Sequence, residues 1–122
     1  MDERRTLRVS EAVREELTEL IAFELDDPRL ADVEVSDVQV SPDGRHAHVR
    51  VAARGDERRQ NDALAALDHA RHYLRHELGV RLSLRTVPEL HFERDRHPDA
   101  ENRVDFLIKR AKKSRGRTEN QP

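Results

Sequence analysis

The 122 residues contain no cysteine, no tryptophan, one tyrosine, three phenylalanines and four glycines. Without cysteine there is no disulfide and no thiolate metal site, a usage that fits a reducing cytoplasm. Few aromatics leave little material for stacking unpaired bases. The glycines stand alone at positions 44, 55, 79 and 116, so neither a glycine-rich phosphate loop nor a Gly-x-x-Gly nucleic-acid loop is present. No serine sits in a nucleophile elbow. No apolar run approaches the roughly 20 residues of a membrane-spanning helix, and the opening MDERRTLR lacks the apolar core of a secretory leader. A soluble, cytoplasmic, non-enzymatic chain without cofactor or small-molecule substrate is the expectation, one domain in size and monomeric.

What the chain has in abundance is charge. Charged residues make up 39% of it, and the cations are twenty Arg against three Lys. Arginine presents a rigid fork that suits phosphate and base edges. The formal net charge of −2 conceals a polarity: residues 1–108 hold 17 basic and 24 acidic groups, whereas residues 109–122 hold six basic and one acidic. Phosphate neutralisation drives most nucleic-acid affinity, so any such binding by the body must rest on local patches.

Between Thr6 and Asp26, Val9, Val13, Leu17, Leu20, Ile21 and Leu25 recur at helical spacing. Thr6 and Ser10 are alternative caps, and Asp26-Asp27-Pro28 stops the helix. Arg4, Arg5, Arg8 and Arg14 crowd its first half, where the macrodipole disfavours cations unless an anion sits there. The competing reading is a solvated face balanced by Glu11, Glu15 and Glu16. Val33–Val40 is β-branched, and its apolar phase slips at Ser36-Asp37, which predicts a bulge or a strand covered on both faces. Ser41-Pro42-Asp43-Gly44 forms a turn into a second strand, Arg45–Ala53, with Ala47, Val49, Val51 and Ala53 inward. Arg54–Gln60 reads as a polar loop.

The stretch from Asn61 to Phe92 organises the fold. Asn61 and Asp62 can cap a helix and Gly79 can end one, while Leu64, Leu67, Ala70, Leu74 and Leu78 form a single apolar stripe. Arg71 projects into that stripe, which predicts a bend after Ala70 or a snorkelling side chain. Pro88–Glu93 alternates as a third strand at an edge or with proline in first position, Leu90 and Phe92 facing the core. Residues 101–111 suit a short helix, and Lys112 onward a disordered basic tail. The order α-β-β-α-(kink)-α-β with a C-terminal helical extension makes a two-layer α+β domain.

With Asp27-Pro28-Arg29 after the first helix, Ser41-Pro42-Asp43 at the hairpin, Ala70, Leu74-Arg75 and Glu77-Leu78 in the central helices, and Arg85, Pro88-Glu89-Leu90 and Phe92 at the last strand, the chain resembles the ribosome-binding factor A family over about residues 4–108. The resemblance implies a type II KH-like fold, with a KH-like RNA-binding domain over 1–108 and a basic tail over 109–122. It also implies binding to the free 30S ribosomal subunit and its 16S rRNA, promotion of late rRNA processing without catalysis, release before translation, and a role in growth in the cold. The family carries Ala-x-Gly at the kink between its central helices; here the triplet is Ala70-Arg71-His72, and the glycine is missing. That departure puts the RNA-facing geometry in question.

The cations expected to meet RNA are Arg71, Arg75, Arg81 and Arg85 of the central helices, Arg4, Arg5 and Arg8 at the N-terminus, and Lys109, Arg110, Lys112, Lys113, Arg115 and Arg117 of the tail. Phe23, Phe92 and Phe106 are expected in the core, which leaves Tyr73 as the one candidate platform, against a reading in which it packs at the bend. His69, His72 and His76 share the outer face of the helix, but without a third ligand they read as solvated or phosphate-facing groups, and no metal is expected. A general KH-type RNA-binding module and a protein-interaction domain are the alternatives.

Overall fold

The structure is a computed structural model and describes residues 2–95; the helix expected over 101–111, Phe106 and the tail lie outside the described residues. The first helix, α1, runs Glu3–Glu19. It starts earlier than Thr6 or Ser10 because the Asp2 carboxylate accepts the Arg5 amide at 2.8 Å, a stronger acceptor than either hydroxyl. Ser10 is buried instead, and its Oγ accepts the Val40 amide at 3.0 Å. Val13, Leu17, Leu20 and Ile21 line the buried side. Past Glu19 the helix widens into a π turn, Leu20–Glu24, closed by the Leu25 amide on the Leu20 carbonyl at 3.2 Å, rather than continuing to Asp26. The extra residue in this turn shifts the phase. Phe23 lies 80% exposed, not in the core as its type predicts, because it falls outside the stripe of Val13, Leu17, Leu20 and Ile21.

A 3₁₀ turn, Pro28–Leu30, follows. Its cap is Asp27, whose carboxylate takes the Arg29 amide at 2.9 Å and the Arg29 guanidinium at 2.8 Å, which gives Asp27-Pro28-Arg29 a local structural purpose. The strands β1 (Val33–Val40) and β2 (His46–Ala53) pair antiparallel. Register passes from Val35 to Asp37 with Ser36 unpaired, so the slip seen in the sequence is a bulge. It turns Val35, Ser36, Val38 and Val40 all into the interior. At the hairpin, Ser41 Oγ donates to Asp43 and accepts the His46 amide, and Gly44 takes a φ of 75°. The hydrogen bond from Ser41, then that from the Arg45 amide, holds the Asp43 carboxyl below the usual carboxylate range.

Helix α2 covers Glu57–His69 and is capped by Asp56, whose carboxylate accepts the Arg59 amide at 2.9 Å. The segment 54–60 is therefore mostly helix, not loop; exposed charge does not oppose a helix, and Glu57 favours its positive end. Ala70 separates α2 from α3, which spans Arg71–Leu82. Gly79 does not end α3. It lies inside the helix, where a Cβ would meet Val87 Cγ2 at 2.8 Å, and the chain leaves the helix at Ser83 with a left-handed φ of 52°. Glycine at position 79 serves close packing rather than termination.

The last strand, β3 (Glu89–Arg94), lies parallel to β2, giving the order β1-β2-β3 with β3 at an edge and Pro88 buried just before it. The three described α-helices cover one face, and the core joins Leu17, Leu20, Val49, Val51, Leu67, Leu74, Leu78 and Leu90. The outer face carries polar side chains such as Glu34, Gln39, His46, His48 and Arg50. This is the α+β, type II KH-like arrangement implied by the resemblance. No described helix is long and apolar enough to cross a membrane.

Candidate nucleic-acid interface

The bend between α2 and α3 forms without glycine. Ala70 sits at φ −91°, ψ 5°, a conformation open to any L-residue, and His72 is already helical. The Ala70 amide is shared between the Ala66 and Leu67 carbonyls at 3.1 Å each, and the Leu74 amide on the Ala70 carbonyl at 2.9 Å starts the new helix. The bend lets Leu67 and Leu74 both be buried while Arg71 leaves the apolar stripe, its guanidinium 3.6 Å from Asp68. His69, His72 and His76 are exposed near the bend, and Tyr73 is 42% exposed.

The arginines expected at the interface separate into two groups. Arg75 turns back onto the fold: its guanidinium donates to the Val87 carbonyl at 2.9 Å and the Pro88 carbonyl at 3.3 Å, clipping the entry to β3. Arg81 stands among three carboxylates, Glu77 and Glu16 at 3.3 Å and Glu24 at 3.8 Å. The Glu77 hydrogen bond, with Glu16 and Glu24 adding to it, raises the Arg81 pKa above its ordinary value. This contact joins α3 to α1 and to the π turn, so the local field around Arg81 is not one that draws phosphate.

Arg4, Arg5, Arg8 and Arg85 are exposed, and among the described residues their side chains make no ion pair. Arg5 and Arg8 line a shallow groove with Val9 and Ala12 of α1, with Leu82 at the end of α3 and with Leu84 of the α3–β3 connection. The left-handed turn at Ser83 brings that connection beside α1, and Arg85 follows Leu84 directly. Arg5 and Arg8 thus belong to one region of the surface, floored by apolar side chains, near the positive end of α1. Leu82 and Leu84 are the residues that sequence reasoning missed here; only the α1–α3 packing brings them to the arginines. A second concavity, between Arg29, Arg54 and Arg59, also contains Asp32 and Asp62, which cancel much of its charge. Lys109, Lys112 and Lys113 lie outside the described residues.

Comparison with known proteins adds a family to this geometry. The family model described as ribosome-binding factor A matches residues 5–108. A ribosome-binding factor A from Solibacter usitatus is 67% identical over 120 residues, covering 98% of each chain. Among solved structures, the crystal structure of ribosome-binding factor A from Thermus thermophilus is similar with a TM-score of 0.66 at 32% identity, covering 73% of this chain and 94% of that one. A Thermus thermophilus ribosome-binding factor A homology model, fitted into the cryo-EM map of a 30S complex, has a TM-score of 0.60 at 32% identity and covers 81% of this chain and all of that one.

Proposed function

Because this chain belongs to the ribosome-binding factor A family, we propose that it binds the free 30S subunit through 16S rRNA and promotes late rRNA maturation as a non-catalytic, cytoplasmic monomer. The observation that carries the surface is the groove of Arg5 and Arg8 against Leu82 and Leu84; Arg85, exposed and next to Leu84 in the chain, is assigned to the same surface. Cations without internal partners can neutralise phosphates, and the apolar floor suits sugar edges of folded RNA. Residues 1–108 make up the binding domain, and the basic residues 109–122, Lys109, Lys112 and Lys113 among them, add salt-dependent attraction. Arg71, Tyr73 and His72 at the bend supply a second contact. A protein of this kind acts by preferring one rRNA conformation and shifts its population by that preference alone. Slow rearrangement of RNA helices at low temperature makes such a preference most useful in the cold.

Co-sedimentation with 30S subunits, 50S subunits and 70S ribosomes at two salt concentrations tests this, using the full chain and Arg5→Glu/Arg8→Glu/Arg85→Glu. Selective 30S binding that is lost in the variant is expected. Selective binding retained in the variant would keep the function and move the surface to the bend or the tail. Equal binding to all particles, or to unrelated structured RNA, would leave a general KH-type module. Binding that does not respond to salt would point to a protein partner.

A further inference from the structure

The parallel register of β2 and β3 sets His46 opposite Glu89 and His48 opposite His91 on the open face of the sheet. Because Ala47 and Leu90 point into the core, the residues on either side of them point outward. His46 Nδ1 lies 3.0 Å from His91 Nε2. The Glu89 Oε1 atom lies 4.0 Å from the first nitrogen and 3.9 Å from the second. His48 stacks on His91 with ring centroids 5.2 Å apart and planes 24° from parallel, which fixes the His91 ring.

Two imidazole nitrogens in hydrogen-bond contact hold one proton between them, and a metal ion seated to one side of the line joining them can replace that proton once the exposed rings tilt towards it. Cis ligands at 2.0–2.1 Å from a common ion are separated by about 2.9–3.4 Å. The two histidines already stand at that separation. The carboxylate must close by about 1 Å, and Glu89 is exposed, so rotation of its side chain is free to bring it in. Two neutral imidazoles and one carboxylate suit Zn²⁺, Co²⁺ or Ni²⁺, whereas Mg²⁺ and Ca²⁺ require oxygen donors.

We propose that His46, His91 and Glu89 form a binding site for a divalent transition-metal ion of the Zn²⁺ class, with the remaining positions open to water. The ligands come from two neighbouring strands, so a bound ion ties the edge strand β3 to β2. This site is independent of the rRNA surface above. It is also distinct from the His72 and His76 pair on α3, which lacks a third ligand among the described residues.

The test is calorimetric titration of the tag-free full chain, freed of metal by chelation, with Zn²⁺ and separately with Mg²⁺. Binding of one Zn²⁺ per chain at this site, with no Mg²⁺ binding at matched concentration, is expected. His91→Ala should abolish that binding, Glu89→Gln should weaken it by about tenfold or more, and His72→Ala/His76→Ala should leave it unchanged. Zn²⁺ should raise the unfolding midpoint of the parent chain and of the α3 double variant, and not that of His91→Ala. Should His91→Ala fail to fold, NMR of the parent decides: Zn²⁺ must shift the imidazole carbon-bound protons of His46 and His91 before those of His72 and His76. Absence of saturable Zn²⁺ binding, binding indifferent to Glu89→Gln and His91→Ala, or binding lost with His72 and His76 would overturn the proposal.

Discussion

Two sets of arginines in this molecule differ in what surrounds them and not in chemistry. Arg29, Arg75 and Arg81 direct their guanidinium groups to partners within the chain: to Asp27, to the carbonyls of Val87 and Pro88, and to Glu16, Glu24 and Glu77. Arg5 and Arg8 beside an apolar groove, and Arg85, face solvent with no ion pair among the described residues. An arginine whose donors are already engaged by partners within the chain has to give those bonds up before it can meet phosphate, so the first set holds the structure and the second is available to a partner. In an acidic body, availability matters more than the number of cations.

Removing the second set should have the largest effect on binding and the smallest on folding. Arg5→Glu/Arg8→Glu/Arg85→Glu should lower 30S affinity by about 100-fold at low salt, with a shallower salt dependence, and change stability by no more than about 0.5 kcal/mol. Sedimentation together with urea unfolding measures both; a large loss of stability would erase the distinction. Arg75→Ala should do the reverse, costing about 1–2 kcal/mol of stability because two carbonyls lose a charged donor, and leaving the affinity of the folded protein nearly intact. Arg81→Gln should lower the melting midpoint by a smaller amount, and the difference should shrink as salt is raised, since Arg81 and its three carboxylates are all partly solvated.

The smallest effect concerns pH. Hydrogen bonds from the Arg29 side chain and then its amide hold the Asp27 carboxyl below the usual carboxylate range. A carboxyl whose pKa is depressed by folding adds stability above its unfolded pKa and loses it as pH falls through the folded value. The midpoint difference between the parent chain and Arg29→Ala should therefore be full at neutral pH and fade below about pH 4. A difference that grew on acidification would show that Arg29 acts through something other than Asp27.

Periodicity made much of the fold legible. The helix under Val13 and Leu17, the bulge at Ser36, the Ser-Pro-Asp-Gly hairpin, the bend at Ala70 and the strand with Leu90 all follow from apolar phase and turn chemistry, which are local. The errors came where neighbours overrode local preference. Gly79 looked like a helix end and is a packing contact with Val87. Phe23 suits the core by type and is exposed, since it lies off the buried stripe of its helix. Ser10 looked like a cap and is a buried acceptor for Val40, thirty residues away. The bend forms without glycine at position 72, because it lies at Ala70 with a negative φ.

The sequence by itself determined the order of elements, the family and the supply of cations, because hydrophobic period and junction motifs are carried by residues close together in the chain. Only the tertiary structure decided which arginines are available, that Leu82 and Leu84 join Arg5 and Arg8, and that His46 meets His91 and Glu89. Those pairings depend on strand register and helix packing between segments more than forty residues apart, and no spacing within one segment encodes them.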